Sequence, residues 1–438
     1  MRPPVVSRLS PLVVLVSLVA SCGDAAPPEP PPGPPGPDVR SDLDRDLAPE
    51  VSPDDLGALV AGNTAFAADL YRAVSTGGGN LFFSPLSIST ALAMTYAGTE
   101  GTTEAQMKAT LHFTLPEPAL HAALNRLDLE LASRATQATG ETRPFRLHTA
   151  NSIWGQRGKT FLAPFLDTLA VNYGAGLRVV DFAADADAAR GTINDWVAGA
   201  TEQKIKDLLP RDAIKPTTTL VLTNAIYFSA AWQHPFKVEE THPSPFTTAS
   251  GVVEVPTLHQ VAELGYGAGT HFRAAELPYD GGQLSMIVVV PDLVDDESGD
   301  PLSRLEAELT AAKLAEIQGS IQTAQLTLSL PKFRFDAPLR LKTTLSALGM
   351  VDAFVDAAAD LSGMDGTRGL VIGDVIHKGF VGIDEAGTEA AAATAVVVGP
   401  PSVPPPAELS VDRPFLFFIV DRPTGAILFL GRVVDPRS

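Results

Sequence analysis

Asp384 to Pro401 read "DEAGTEAAAATAVVVGPP". Four alanines in succession favour helix, and the three valines that follow favour strand. The stretch is too apolar for a flexible linker and too rich in alanine for a core strand. No proline interrupts it between Glu385 and Gly399; Pro400 is the first. Its state must be set by whatever the rest of the chain builds around it.

Working outward, Pro414 to Val434, "PFLFFIVDRPTGAILFLGRVV", reads as two apolar strands around a Pro-Thr-Gly turn, a hairpin. Upstream, "TTLVLTNAIYF", "QLSMIVVVPD" and "AQLTLSLPKF" read as strands rich in branched residues. Further back, Leu56 to Val74 has the apolar spacing of a helix, and "PLSISTALAMTYAGTEG" predicts a second helix ending at glycine. "TINDWVAGATEQKIKDLL" predicts a third. Helices gather early and strands late without βαβ alternation, which predicts an α+β fold. The chain has no Walker or Rossmann glycine pattern and no G-x-S-x-G elbow.

The chain of 438 residues is 45% hydrophobic and 19% charged, enough for a sizeable core without disulfides. A net charge of −19 opposes nucleic acid or an anionic membrane surface as partner. The single cysteine, Cys22, excludes an intrachain disulfide and a cysteine-built zinc site. The eight histidines show no metal-ligand spacing, so no metal and no cofactor is expected.

The N-terminus reads as an address. Arg2 and Arg8 precede a short apolar run, "LVVLVSLVA", too short to span a bilayer. It ends in "VASC", which resembles a bacterial lipobox. That resemblance implies cleavage after residue 21, lipidation of Cys22 and anchoring to the bacterial cell envelope. Eight of the eleven residues from Pro27 to Pro37 are proline, an extended stalk of roughly 30 Å. The acidic residues after it lack apolar periodicity, so residues 22–55 read as a disordered linker and 56–438 as the folded body.

Five stretches, in order, resemble signatures of the serpin family. They are Asn80–Thr103 ("NLFFSPLSISTALAMTYAGTEGTT"), Thr223–Phe236 ("TNAIYFSAAWQHPF"), Leu330–Met364, Val375–Thr394 ("VIHKGFVGIDEAGTEAAAAT") and Asp412–Pro436. The resemblance covers nearly everything from Leu56 onward. It implies one large domain of three β-sheets and about nine helices, with an exposed reactive loop near the C-terminus. It implies a suicide inhibitor rather than an enzyme. A serine or cysteine protease cleaves the loop and becomes acylated, and the loop then enters the main sheet as an extra strand. A monomer is the expected state. The alternatives are a non-inhibitory serpin that acts as a binding protein, and an envelope hydrolase, for which no nucleophile motif is present.

The residues can be tested against insertion. A segment that becomes a central strand must lack proline, because the ladder needs every N–H. From Thr388, one face reads Thr388, Ala390, Ala392, Thr394, Val396, Val398, with no charge. The other reads Glu389, Ala391, Ala393, Ala395, Val397, with its one acid at the start. The resemblance makes Glu385, Gly387, Thr388, Ala390, Ala391, Ala392, Ala393 and Thr394 the hinge, and from Gly387 on these side chains are small enough to pass between packed strands. The bond attacked is open: family loop lengths point to Pro401–Ser402 or Val403–Pro404, with Ser402–Val403 and Val398–Gly399 as alternatives. All are small or apolar, which favours an elastase- or subtilisin-like target over a trypsin-like one.

Four polar residues, Ser84, Ser87, Asn224 and His377, match the family's shutter under the central sheet. Their apolar settings predict a buried, mutually bonded cluster rather than a catalytic group. Lys332 and Glu385 match an ion pair at the top of that sheet, the breach, and Trp232 the aromatic packed there. "VPTLHQ" (Val255 to Gln260) departs from the family's usual methionine-containing stretch.

Overall fold

The computed structural model describes residues 38–136, 138, 145–293, 300–388 and 406–437. Cys22, Ala390, Ala391, Ala392, Ala393, Thr394, Val398, Pro401, Ser402 and Val403 lie outside the described residues.

The chain begins with β1 (Asp38–Val39) and α1 (Pro53–Val74), then β2 (Leu81–Phe83), α2 (Pro85–Tyr96), α3 (Gly101–Thr110) and α4 (Glu117–Ser133). β3 (Arg146–Gln156), α5 (Ala163–Tyr173), β4 (Leu177–Val180), α6 (Ala186–Ala200) and β5 (Leu220–Ala231) follow. Next are β6 (His242–Thr248), β7 (Gly251–Gly269), β8 (Phe272–Pro278), β9 (Leu284–Pro291), α7 (Pro301–Ala307) and α8 (Ala311–Ser320). The last third holds β10 (Gln322–Pro331), β11 (Phe333–Arg340), α9 (Lys342–Ala347), α10 (Ser362–Asp365) and β12 (Ile372–Ile383). It ends with β13 (Gly387–Thr388), β14 (Pro406–Ser410), β15 (Phe415–Asp421) and β16 (Ile427–Val433). Ten α-helices among the described residues and two hydrogen-bonded sheets make the α+β architecture.

The first sheet has the order β1-β4-β3-β5-β13-β12-β11. Its central strand β5 is buried at all twelve positions, as a strand covered on both faces must be. The second, nine-stranded sheet runs β14-β10-β7-β8-β9-β15-β16-β2, with β6 on β7. The expected second and third sheets meet in the nineteen-residue β7, so hydrogen bonding passes unbroken from one to the other.

Between the sheets and the early helices lies the main core. Phe82 stacks on Phe429 at 5.0 Å and on Phe417 at 5.8 Å, tying β2 to the C-terminal hairpin. That hairpin turns at Pro423-Thr424-Gly425, where Gly425 has φ +75° and Asp421 accepts hydrogen bonds from the Thr424 N–H and hydroxyl. A smaller core forms where α6 packs Ile193 and Val197 against Trp154 of β3, Val221 and Ala225 of β5 and Ile376 of β12. Helix α6 therefore shares a core with both strands of the β5–β12 seam.

Local chemistry explains the helix ends. Ser52 caps α1 through the Asp55 N–H, with Pro53 in the first turn and two aspartates after it. Ser84 caps α2 by accepting from the Ser87 N–H at 3.1 Å. The second predicted helix, α2, ends at Tyr96, shortly before Gly98, and a further helix that the sequence pattern had not indicated, α3, starts at Gly101, whose φ is +59°. The third runs shorter than the sequence suggested. Glu202, Gln203 and Asp207 take positive φ, and Ile205, Leu208 and Leu209 fold back into the smaller core. Asn194 fastens the returning chain, bonding the Leu209 N–H at 2.8 Å and its carbonyl at 3.1 Å.

Residues 38–52 correct the reading of a disordered linker up to residue 55. β1 pairs antiparallel with the edge strand β4. Ser41 donates to Asp167 at 2.5 Å, and Arg45 reaches Asn125 at 2.8 Å and Asp128 at 2.6 Å. The Asp46 N–H bonds the Val171 carbonyl, and Asn125 bonds the Asp46 carbonyl. Beyond the two residues of β1 this polar segment builds no element of its own, and so it has no periodicity. It fills bonding positions that α4, α5 and β4 leave open.

Candidate functional site

The opening stretch enters the first sheet at the top of the β5–β12 seam. Below that point β5 and β12 pair directly and in parallel, from Leu220–Ile372 to Tyr227–Phe380. Above it Gly387 and Thr388 lie between them as β13, antiparallel to both strands, with Gly387 opposite Ala231 and Thr388 opposite Ala230 and Ile383. Gly387 must be glycine, since a Cβ there would sit 2.1 Å from the Ala230 carbonyl oxygen. Thr388 is 1% exposed, and its hydroxyl shares a 2.7 Å hydrogen bond with the Tyr279 hydroxyl.

Asp384 and Glu385 shape the turn that delivers this strand. The Asp384 carboxylate accepts from the Ala386 N–H at 2.9 Å and the Gly387 N–H at 3.1 Å. Trp232 donates its indole N–H to the Asp384 carbonyl at 3.0 Å and its backbone N–H to the Ala386 carbonyl at 2.8 Å. The indole stacks on Tyr279 at 4.7 Å. Lys332, just before β11, reaches both oxygens of Glu385 at 2.9 and 2.8 Å, and Thr241 donates to one of them at 2.8 Å. Burial by itself raises the Glu385 carboxyl. The hydrogen bonds from Lys332, its own backbone and Thr241, with the Lys332 charge, outweigh it and leave the group below its ordinary value. The Glu385 side chain is 14% exposed and that of Lys332 34%.

Lower on the same seam lies a buried polar cluster. The Ser84 N–H donates to His377 Nε2 at 3.3 Å, and His377 Nδ1–H donates to the Asn224 side-chain oxygen. Asn224 Nδ2 donates to Ser87 Oγ at 2.5 Å and to Asn151 Oδ1. Asn151, on β3, also accepts from the Ser87 hydroxyl and donates to the Ser87 carbonyl, each at 3.2 Å. Asn151, Asn224 and His377 are cross-strand neighbours, so one polar row spans β3, β5 and β12. Sequence reasoning missed Asn151. Its only signal was an asparagine amid the alternating residues of "HTANSIW".

The row pairs no hydroxyl with the imidazole. Burial lowers the His377 imidazole to about 3, so it stays neutral at physiological pH and is a poor base. It receives a backbone N–H from Ser84, while the Ser84 hydroxyl caps α2. Separating β5 from β12 breaks the Asn224–His377 bond and leaves the Asn224–Asn151–Ser87 bonds on the β5 side intact.

Comparison with known proteins accords with this geometry. A family model described as Serpin (serine protease inhibitor) matches residues 61–436. Leukocyte elastase inhibitor A of Rattus norvegicus is 39% identical over 385 residues, covering 86% of this chain and 99% of the relative. An uncharacterized serpin-like protein of Thermococcus kodakarensis is 37% identical over 377 residues, covering 85% of each chain. Among solved structures, Serpin48 of the insect Tenebrio molitor superposes with a TM-score of 0.75 at 31% identity, over 86% of this chain and 98% of that one. The thermophilic serpin tengpin in its native state gives 0.78 at 26% identity, over 91% and 99%.

Proposed function

The chain belongs to the serpin family, and from that premise we propose that it is an irreversible suicide inhibitor of serine proteases. The proposed course is cleavage of the loop between β13 and β14, acylation of the protease, and entry of the loop between β5 and β12. The protein acts as a monomer and as an inhibitor, not as an enzyme. One observation carries the reading. Gly387 and Thr388 already occupy the β5–β12 seam, at the end from which the following residues would extend the new strand. Thr388 to Gly399 is twelve residues, roughly 40 Å of strand. Its buried-face side chains carry no charge and its backbone no proline, so the ladder can continue.

An elastase- or subtilisin-like target is supported by the small and apolar residues around the candidate bonds Val398–Gly399, Pro401–Ser402, Ser402–Val403 and Val403–Pro404. The relatives named as leukocyte elastase inhibitors point the same way. We further propose that Cys22 is lipidated and tethers the protein to a bacterial cell envelope. A Cys22→Ser chain that no longer partitions with membranes is the expected result.

The test of inhibition is direct. The protein is incubated with elastase, subtilisin and trypsin in turn. A complex that survives SDS should form with the first or second, and mass spectrometry of the released peptide locates the bond. A loop cut cleanly with every protease, none being trapped, would sink the proposal and leave a non-inhibitory binding protein.

A further inference from the structure

A cavity of about 430 Å³ opens beside the Lys332–Glu385 pair, where the top of β11 and β12 meets β7 and the C-terminal residues. Sites for small molecules have volumes of roughly 300–1,000 Å³. The walls are mostly apolar: Val255 and Pro256 of β7, Phe333 of β11, Phe380 and Ile383 of β12, and Pro436. The Lys332 N–H bonds the Pro256 carbonyl at 2.8 Å, which fixes the β7 wall to the start of β11. Inhibition as proposed above gives this cavity no role.

Three cationic side chains stand at the cavity, and two of them are answered. Lys332 bonds Glu385 at 2.8 Å, and Arg437 bonds Asp435 at 2.7 Å. The two carboxylates at the cavity are answered as well. Asp384 accepts from the Ala386 and Gly387 N–H groups, and Glu385 from Lys332 and Thr241. Arg334 meets no carboxylate or carbonyl among the described residues. Its guanidinium carbon lies 4.9 Å from the centre of the Phe380 ring. Gly382, opposite Arg334 in the β11–β12 pairing, leaves room for this. A Cβ at Gly382 would stand 3.2 Å from the arginine Cγ. The stem thus crosses β12 and sets the planar group over an aromatic face. That contact orients the fork and leaves its N–H groups for a ligand.

We propose that this cavity binds an amphipathic organic anion, a small molecule with an apolar body and one carboxylate. The body would lie against the apolar walls, and the carboxylate would accept two parallel N–H bonds from Arg334. Arginine keeps its charge at any physiological pH, and its fork matches a carboxylate. A neutral amide of the same shape forgoes the charge-assisted bonds, and an amine meets an unanswered cation. The ligand would touch β7, β11, β12 and Pro436 together, and so would fasten the strands around Glu385.

The test titrates octanoate, 2-naphthoate, octanamide and octylamine separately into the full chain at pH 7.5, by calorimetry, with thermal unfolding as a second readout. One molecule of either carboxylate should bind per chain with a Kd on the order of 0.1 mM, as expected for a ligand of about ten heavy atoms. Octanamide and octylamine should bind at least about tenfold more weakly. Either carboxylate at about ten times its Kd should raise the unfolding midpoint. Arg334→Gln should weaken octanoate binding at least about tenfold. Because Arg334 is exposed, that variant should keep the ligand-free midpoint within about 2 °C. Arg126→Gln, on α4 and not at the cavity, should bind octanoate as the parent chain does. The amide and amine comparisons use the unaltered chain and do not depend on a variant. No saturable octanoate binding below about 5 mM would overturn the proposal. So would octanamide or octylamine binding as tightly as octanoate, unchanged affinity in Arg334→Gln, or an equal loss in both arginine variants.

Discussion

Replacing His377 with glutamine should flatten the acid side of the stability profile. In the folded protein the imidazole is fully buried between β5 and the α2 cap, and its affinity for a proton falls from the ordinary 6.5 to about 3. In the unfolded chain it titrates near 6.5. Between these values the unfolded state binds the extra proton, so stability falls as the pH drops. The loss begins near pH 6.5 and is complete only near pH 3. One pH unit within this window is worth about 1.4 kcal/mol, so the loss from this group alone is about 2 kcal/mol at pH 5 and negligible at pH 7.5. The glutamine variant is less stable at neutral pH, because the Asn224 oxygen and the Ser84 N–H lose their partner. The informative quantity is therefore the slope. Urea unfolding is measured for both proteins at pH 7.5, 6.5, 5.5 and 5.0. The wild type should lose about 2 kcal/mol more than the variant across that range. Parallel slopes would refute the claim that His377 is held neutral by burial.

Two further substitutions probe the top of the seam. Glu385→Lys sets a second ammonium where Lys332 now bonds both carboxylate oxygens. Like charges about 4 Å apart cost about 4 kcal/mol near a protein surface. Solvent reaching the half-exposed Lys332 reduces that to about 2–3 kcal/mol. The variant should polymerise on gentle warming, seen by native gel, and the swap Lys332→Glu/Glu385→Lys should restore much of the loss; unaltered monomer after warming counts against the pair's role. Thr388→Arg places a charge at a site 1% exposed and removes the bond to Tyr279. Such a hinge should still be cleaved but should trap little protease. Gel quantification of cleaved against complexed inhibitor checks this, and undiminished trapping argues against insertion at this position.

The seam's contents were largely legible beforehand because they are chemically unusual where they stand. Serine, asparagine and histidine in apolar segments must find buried partners, and Ser84, Ser87, Asn224 and His377 found one another. Glu385 and Lys332 are a partly buried acid and base, and they pair. Asn151 was missed because a polar residue in an alternating strand reads as solvent-facing until the helix packed on that strand is known. The segment before α1 was misread for a related reason. Ser41, Arg45 and Asp46 have no pattern of their own, and their order comes wholly from groups that α4, α5 and β4 present.

By itself the sequence determined what the loop is able to do. A proline-free run with one charge-free face can enter a sheet, and that is a property of side chains counted along the chain. Only the tertiary structure decided where its first residues stand. Gly387 and Thr388 sit in the seam because Asp384 turns the chain, Trp232 and Lys332 hold the turn, and Ala230 leaves room only for a glycine backbone. The contacts of Trp232, Lys332 and Ala230 join residues more than fifty positions apart, and such contacts exist only once the chain has folded.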